Sequence, residues 1–506
     1  MSTPLQTARK RPFGFRDKIG YMFGDFGNDF TFILQVMFFM VFYTNVVGVS
    51  AAHVGLLLLV ARILDAFTDV GMGVLVDRLP VRDGGTKFKR WIKFIMVPVA
   101  VASALMYMSF VADFDSYTAK VVWMCATYFL WGSIFYTAIN IPYGSMASVI
   151  TADSDERAQL SVYRSTGAAL AQLFIVFVLP LVVYVTNAAG VSVLDPQRMM
   201  WGGILCSIAA VICYAVCYVF SVERIQTPVK ADTTEHGLGA MAKAVVTNRA
   251  LGGLIAAALI LLIANLFLSG MLSYLFLNYF GNGKLISYTG LVGIIPSLAL
   301  IVIAPLLAKR FGKTEVSITA MLIGGAVLLT AYFIKVESVV VWLVFYAVAI
   351  FMISIFNYLV WAFITDVIDH QEVTTGQRDD ATVYAVYSWA RKLGQAIAGG
   401  AIGWALSLIG YSETAAKQGT GQSVAVNESI YMLANLVPGI LCVVVAAALF
   451  FLYPLKKSRV EENNRILTAR REEPQILVAD VASDSLAQPC TSATTTLTPH
   501  PDALNN

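Results

Sequence analysis

Residues 52–77 read AHVGLLLLVARILDAFTDVGMGVLVD, an apolar run interrupted by an arginine at 62 and aspartates at 65 and 69. The run exceeds the roughly 20 predominantly apolar residues that carry a helix through a bilayer. In a helix, Arg62, Asp65 and Asp69 stand at i, i+3 and i+7 and share one face. An ionisable group at mid-bilayer costs at least about 2.5 kcal/mol by insertion scales, so that face must meet a cavity or a partner rather than lipid. This one stretch predicts a membrane-spanning helix and a charged interior shared with other helices.

The rest of the chain repeats the pattern. Of 506 residues, 58% are hydrophobic and 13% charged, about half the charge of an ordinary soluble domain. Apolar stretches recur from Phe30 to Tyr453 with short polar breaks, about twelve in all. Helices are expected over 19–48, 52–77, 91–112, 119–149, 160–187, 199–221, 250–280, 285–308, 315–334, 338–369, 381–410 and 427–454. The expected class is an all-α polytopic membrane protein.

Charge placement predicts its orientation. Basic residues concentrate after the second helix (Arg78, Arg82, Lys87, Lys89, Arg90, Lys93), after the sixth (Arg224, Lys230, Lys243, Arg249) and after the eighth (Lys309, Arg310, Lys313). The tail adds Lys456, Lys457, Arg459, Arg465, Arg470 and Arg471, whereas alternate connections such as Val47 to Ala52 carry almost none. The positive-inside rule then puts both termini in the cytoplasm. Met1 to Lys18 is polar and basic, and the apolar segment behind it is too long for a cleaved signal peptide, so the first helix is expected to be retained.

A long polar interruption from Ser221 to Arg249 divides the chain near its middle. The expected organisation is a cytoplasmic N-terminus (1–18), a six-helix bundle (19–221), a central cytoplasmic loop (222–249), a second six-helix bundle (250–454) and a disordered cytoplasmic tail (455–506). GVLVDRLPVRDGGTKFKR after the second helix and APLLAKRFGKTE after the eighth form a weak internal repeat, as in carriers built from duplicated bundles.

Other classes find no footing. A net charge of +3 lends no support to nucleic-acid binding. Five of the six cysteines (Cys125, Cys206, Cys213, Cys217, Cys442) lie in apolar segments and Cys490 in the tail, without metal-ligand spacing. His53, His236, His370 and His500 are scattered, and no phosphate loop, HExxH or GxSxG is present, so neither an enzyme nor an ATP-driven pump is expected and no cofactor is implied.

The chemistry lies in the helices. Two carboxylates one turn apart repel each other unless a cation, a proton or Arg62 compensates them, so Asp65 and Asp69 are a candidate cation site; the alternative is a structural ion network with Arg62. GDFGNDF (24–30) places Asp25 and Asp29 one turn apart, with Asp29 deeper. A carboxylate accepts two hydroxyl hydrogen bonds at once, which suits a sugar, although a cap or a pair with a neighbouring helix is equally open. YSWARKLGQAIAGG (387–400) carries Arg391 and Lys392 beside small residues that permit close helix approach. One basic group is expected in the cavity, with Lys392 favoured, and the other snorkelling toward the cytoplasm. In YTAINIPYGSMA (136–147), Pro142 and Gly144 are expected to interrupt the helix, with Asn140 and Tyr143 offering polar contacts; an ordinary proline kink is the alternative. Trp361 is a candidate for stacking on a sugar ring, or else packs or anchors at the interface.

Together these segments resemble the glycoside-pentoside-hexuronide:cation symporters of the major facilitator superfamily, which include the melibiose and glucuronide carriers. The resemblance runs from about Phe13 to Pro454 and rests on GDFGNDF, FYTNVVGVSAAHVG, LVARILDAFTD, TKFKRW, NIPYGS, DERAQLSVYR, TDVIDHQE and RKLGQAIAGG. It implies the major facilitator fold, two pseudo-symmetric six-helix bundles around a central cavity. It also implies cation binding at Asp65 and Asp69, sugar binding at Asp29, and roles for Arg164 on the fifth helix and Lys392. Where the melibiose carrier has a helix-four aspartate, this chain has Asn140, and the aromatic one turn later is Gly144. Loss of that anionic ligand is compatible with an acidic sugar, and NIPYGS and RKLGQAI look more like the glucuronide carriers. The loop DGGTKF replaces the usual RWGKF.

The resulting expectation is a monomeric plasma-membrane carrier, in a bacterial inner membrane if prokaryotic, surrounded by lipid. It would move a sugar, glycoside or hexuronide with H⁺ or Na⁺ by alternating access. Asp65 and Asp69 hold the cation (as metal ligands if it is Na⁺); Asp29, Asn140, Tyr143, Arg164, Trp361 and Lys392 face the sugar, with Arg62 and Asp25 in the charge network. The alternatives are a carrier of a lipid-like or drug-like solute, for which a large apolar cavity would speak, and an uncoupled channel or receptor.

Overall fold

The computed structural model describes residues 11–79, 86–225, 248–376 and 380–470. Long helices occupy each expected position: α1 (Phe15–Val47), α2 (Ala51–Arg78), α3 (Lys89–Leu105), α4 (Tyr117–Ile150), α5 (Asp155–Val183) and α6 (Pro196–Phe220) in the first half. In the second half are α7 (Arg249–Tyr279), α8 (Ser287–Phe311), α9 (Lys313–Phe333), α10 (Val339–Thr375), α11 (Asp380–Leu408) and α12 (Val424–Phe451). Among the described residues, ten helices are long and apolar enough to cross a membrane; α8 and α11 complete the pattern.

Local chemistry sets the ends. Asp195 caps α6 by accepting from the Arg198 N–H at 2.8 Å, and Pro196 opens its first turn, where no N–H is needed. Asp153 and Asn248 cap α5 and α7 in the same way, at 2.9 and 3.1 Å. Gly48 (φ 82°) stops α1 and Gly376 (φ 72°) stops α10, in the left-handed region open to glycine.

α1–α6 pack together, with α1 against α5 and α6 and α3 against α4 and α6; α7–α12 do the same, with α12 against α7 and α9 and α10 against α8 and α9. The halves meet along α2–α11, α5–α8 and α1–α7. At α2–α11 the backbones come close: a Cβ on Gly403 would collide with the Ala51 carbonyl, and one on Gly55 would lie 2.9 Å from Gly403 Cα. Small residues therefore allow the helix approach that the sequence predicts there.

Hydrogen bonds across the halves gather at the end away from the termini. Thr44 and Tyr274 share one at 2.9 Å, Tyr411 donates to Asn45 at 2.9 Å, and the Ala51 N–H donates to Glu413 at 2.7 Å. Lys417 reaches the Ala112 carbonyl at 2.8 Å, and Asn187 reaches the Gly419 carbonyl at 2.9 Å. The apolar core follows suit: one cluster fills the first half and continues across this end into Phe267, Trp342, Leu406 and Tyr431, while a second is confined to the other half. The molecule is sealed at the end away from its termini.

Several expectations are corrected. α4 is not interrupted at Pro142, which lies within the helix; the irregularity comes earlier, as a π-turn over Leu130–Tyr136. α5 starts before 160 and α10 runs past 369, because polar residues continue these helices beyond the apolar span. The tail is not wholly disordered from 455: residues 457–470 form a helix in which Leu467 is buried and Asn463 pairs with His370 at 3.2 Å. Arg82, Lys230, Lys243, Arg471 and Cys490 lie outside the described residues, as do most of the central loop and the remainder of the tail.

Candidate functional site

A cavity of about 490 Å³ lies between the halves, lined by α1, α2, α4, α5 and α11. Each helix presents a polar stripe at helical spacing: Asp25, Asp29 and Phe32 on α1; Arg62, Asp65 and Asp69 on α2; Thr137 and Asn140 on α4; Ser388, Arg391, Lys392 and Gln395 on α11. Arg164 enters from α5. Above the cavity, toward the sealed end, a smaller space of about 60 Å³ is lined by Met37, Met40, Val41, Leu58 and Ile402, with Arg62 and Gln395 at the junction.

The helix-two carboxylates are tied to both halves. Asp65 lies 3.6 Å from Arg62 and accepts from Ser133 at 2.5 Å. Arg62 is held in turn by Gln35 at 2.9 Å and by the face of Phe32, 5.1 Å from its centroid. Asp69 accepts from Thr137 at 2.7 Å and from Lys392, so its charge bridges α2 to α11 across the halves. The π-turn of α4 precedes Thr137 and contains Ser133. Such single-turn irregularities shift the helical register and recur at functional sites.

The helix-one carboxylates divide. Asp25 accepts from the Arg164 Nε at 3.0 Å. Asp29, one turn deeper, lines the cavity with no hydrogen bond or ion pair among the described residues. Beside it, Asn28 donates to Asn140 at 3.3 Å and accepts from Tyr214 at 2.7 Å, which orients the Asn140 amide on the cavity wall.

The structure thus brings Asp25, Asp29, Arg62, Asp65, Asp69, Asn140, Arg164 and Lys392 to one cavity, and leaves two expected members out. Tyr143 is fully buried: it stacks on Tyr21 at 4.8 Å, donates to the Tyr21 carbonyl at 2.6 Å and lies under Arg164, whose guanidinium is 5.6 Å from its ring. It supports Arg164 from behind the wall, because position 143 faces α1. Trp361 packs edge-on against Tyr387 at 5.2 Å and does not line the cavity. Arg391 departs in the other direction: it lines the cavity together with Lys392 and does not turn away from it.

Ser133, Thr137, Gln35, Ser388 and Gln395 were not singled out by the sequence reading, yet each touches the cavity, its junction or a carboxylate in it. The signal was available. Ser133, Thr137 and Asn140 follow one another at i, i+4 and i+7, as do Ser388, Lys392 and Gln395. Among the described residues no group of three or more His, Cys, Asp or Glu forms a metal cluster. A Na⁺ here would need the hydroxyls of Ser133 and Thr137 beside the two carboxylates, since hard cations take oxygen ligands.

Comparison with known proteins agrees with this architecture. Residues 20–457 match the family described as MFS/sugar transport protein. The chain is 31% identical over 442 residues to "Uncharacterized symporter YjmB" of Bacillus subtilis (strain 168), covering 87% of this chain and 92% of that one. It is 29% identical over 482 residues to "Glucuronide carrier protein homolog" of Escherichia coli (strain K12), covering 92% and 98%. In fold it superposes on the crystal structure of the nucleoside transporter NupG with a TM-score of 0.58 at 12% identity, covering 87% of this chain and 99% of that one. The chain therefore belongs to the major facilitator superfamily, among its sugar-transporting symporters of the glycoside-pentoside-hexuronide type, and is a multi-pass membrane transporter.

Proposed function

We propose that this protein carries a sugar, glycoside or hexuronide across the plasma membrane together with H⁺ or Na⁺, with both termini in the cytoplasm and a monomer as the working unit. One observation carries the reading: Asp69 is bound at once by Thr137 of its own half and by Lys392 of the other. A cation at Asp65 and Asp69 competes with the Lys392 ammonium for the same carboxylate. Its arrival weakens a bridge between the halves and frees Lys392 to face the cavity. The relation is reciprocal: a substrate that draws Lys392 away from Asp69 favours cation binding by the same free energy.

Asp29, which lines the cavity with no hydrogen bond or ion pair among the described residues, supplies hydroxyl acceptors, and the Asn140 amide, whose oxygen already accepts from Asn28, adds a donor. Arg164, kept in place by Asp25 and Tyr143, bounds the site on the α5 side. The sealed end opposite the termini corresponds to a cavity loaded or emptied from the cytoplasm, and rocking of the halves about α2–α11 and α5–α8 would expose it to the other side. A lipid-like or drug-like cargo fits less well, since charged and amide groups dominate the cavity wall. The similarity to a relative named as a glucuronide carrier homolog supports the hexuronide end of the range.

The test is uptake by proteoliposomes of radiolabelled glycosides, pentosides and hexuronides under an imposed Na⁺ gradient and then a pH gradient. Accumulation driven by one gradient and abolished by Asp69→Asn is the expected result. If no sugar accumulates under either gradient, the reading is wrong.

A further inference from the structure

Among the described residues, the charges in the cavity do not all pair with one another. Asp25 holds Arg164, Asp65 lies beside Arg62, and Asp69 binds Lys392. Two charged groups on the wall remain: Asp29 and Arg391, neither of which makes a hydrogen bond or ion pair among the described residues. Asp29 lies in the field of Asp25 and Arg164 on the first half, whereas Arg391 sits on α11 of the second half, one position before Lys392. An open carboxylate suits hydroxyl donors. An open guanidinium suits an anion.

Arg391 is placed for that role rather than for lipid contact. It is the twelfth residue of α11, roughly 16 Å along the helix from its start, and it lines the cavity with Ser388 and Gln395 of the same face. Its planar fork matches a carboxylate or sulfonate with two parallel hydrogen bonds, a geometry that a hydroxyl cannot repay.

We propose that Arg391 anchors an anionic group on the substrate, so that the cargo is a polyhydroxylated solute bearing a carboxylate or a sulfonate. The proposal rests on the sugar-symport reading and narrows it. The four carboxylates and four basic groups of the wall balance, so a coupling cation alone leaves the loaded cavity positive and an anionic substrate alone leaves it negative. Bound together they keep it neutral. Each therefore favours the other through electrostatics in a low-dielectric space, and a neutral sugar would leave Arg391 uncompensated.

The experiment uses the full-length protein and equilibrium binding of three probes: methyl β-D-glucuronide, methyl β-D-glucoside and methyl 6-deoxy-6-sulfo-glucoside, each with and without the coupling cation. The wild type is expected to bind an anionic probe roughly tenfold or more tighter than the neutral one, the scale of a charge-assisted bidentate contact. The cation should tighten the anionic probe more than the neutral one. The affinity ratio should fall toward unity in Arg391→Gln and take an intermediate value in Arg391→Lys, which keeps the charge and loses the fork. Comparison of the carboxylate and sulfonate probes identifies which anion the site takes. A neutral glycoside bound as tightly as the tighter of the two anionic probes, or an Arg391→Gln protein with an unchanged ratio, overturns the anion anchor while leaving sugar symport standing. No binding of any probe, together with no gradient-driven sugar uptake, overturns both.

Discussion

The two walls of the central cavity are built differently. The wall from the first half draws on four helices and is wired to itself: Asp25 to Arg164, Asn28 to Asn140, Ser133 to Asp65, Thr137 to Asp69. The opposite wall is a single helix, α11, whose Lys392 reaches across while Ser388, Arg391 and Gln395 line the space. A pseudo-symmetric fold thus carries an asymmetric site. A preorganised wall holds ligands in fixed geometry, and a wall that reaches across the cavity through the Lys392–Asp69 ion pair can exchange that contact without dismantling the site.

The sharpest way to break this comparison is to remove the bridge from its preorganised side. Asp69→Asn should abolish accumulation of sugar against its gradient, measured in proteoliposomes, because it removes the proposed cation ligand and the ion-pair partner of Lys392. Accumulation that survives would make Asp69 a structural residue. Asp29→Asn should act next most strongly, weakening substrate binding by roughly tenfold to a hundredfold, the scale of hydrogen bonds to a charged group. Calorimetry should find cation binding retained, and loss of both ligands together would mean that Asp29 belongs to the cation site.

A smaller effect is expected where the halves touch outside the cavity. Gly403→Leu places a side chain against the Ala51 carbonyl, so the sealed end cannot close fully. Thiol labelling of Val46→Cys, at a position 4% exposed here, should then speed up severalfold; an unchanged rate would show that the α2–α11 crossing does not form the seal. The smallest change is expected from Trp361→Ala. That ring packs on Tyr387 rather than on the cavity wall, so substrate affinity should shift by no more than about twofold. A loss as large as that of Asp29→Asn would return Trp361 to the substrate site.

Much of this protein was legible from the chain. Long apolar stretches and short polar breaks predict every long helix, because backbone polar groups in a membrane must be satisfied within the helix itself. Charge inside such a stretch is costly, so Arg62, Asp65, Asp69, Asp25 and Asp29 announced a shared cavity without any knowledge of the fold. The helical period also placed Ser133 and Thr137 on the face of Asn140, a signal present but unread, because hydroxyls are cheap in membrane helices and do not stand out.

Other features depended on the assembled bundle. Tyr143 and Asn140 are three residues apart on α4, yet one is buried against α1 and the other faces the cavity. The π-turn in the preceding segment alters the helical register, and i→i+5 hydrogen bonding leaves no mark in composition. Arg391 and Lys392 are adjacent, and the choice between snorkelling and cavity depended on where α11 crosses α2, which Gly55 and Gly403 set by close approach. Sequence by itself determined which helices exist and which of them must turn a charged face inward, since both follow from the local cost of exposing polar groups to lipid. Only the tertiary structure decided which charge meets which, leaving Asp29 and Arg391 without an ion pair among the described residues while their neighbours paired, because pairing depends on distances between helices far apart in the chain.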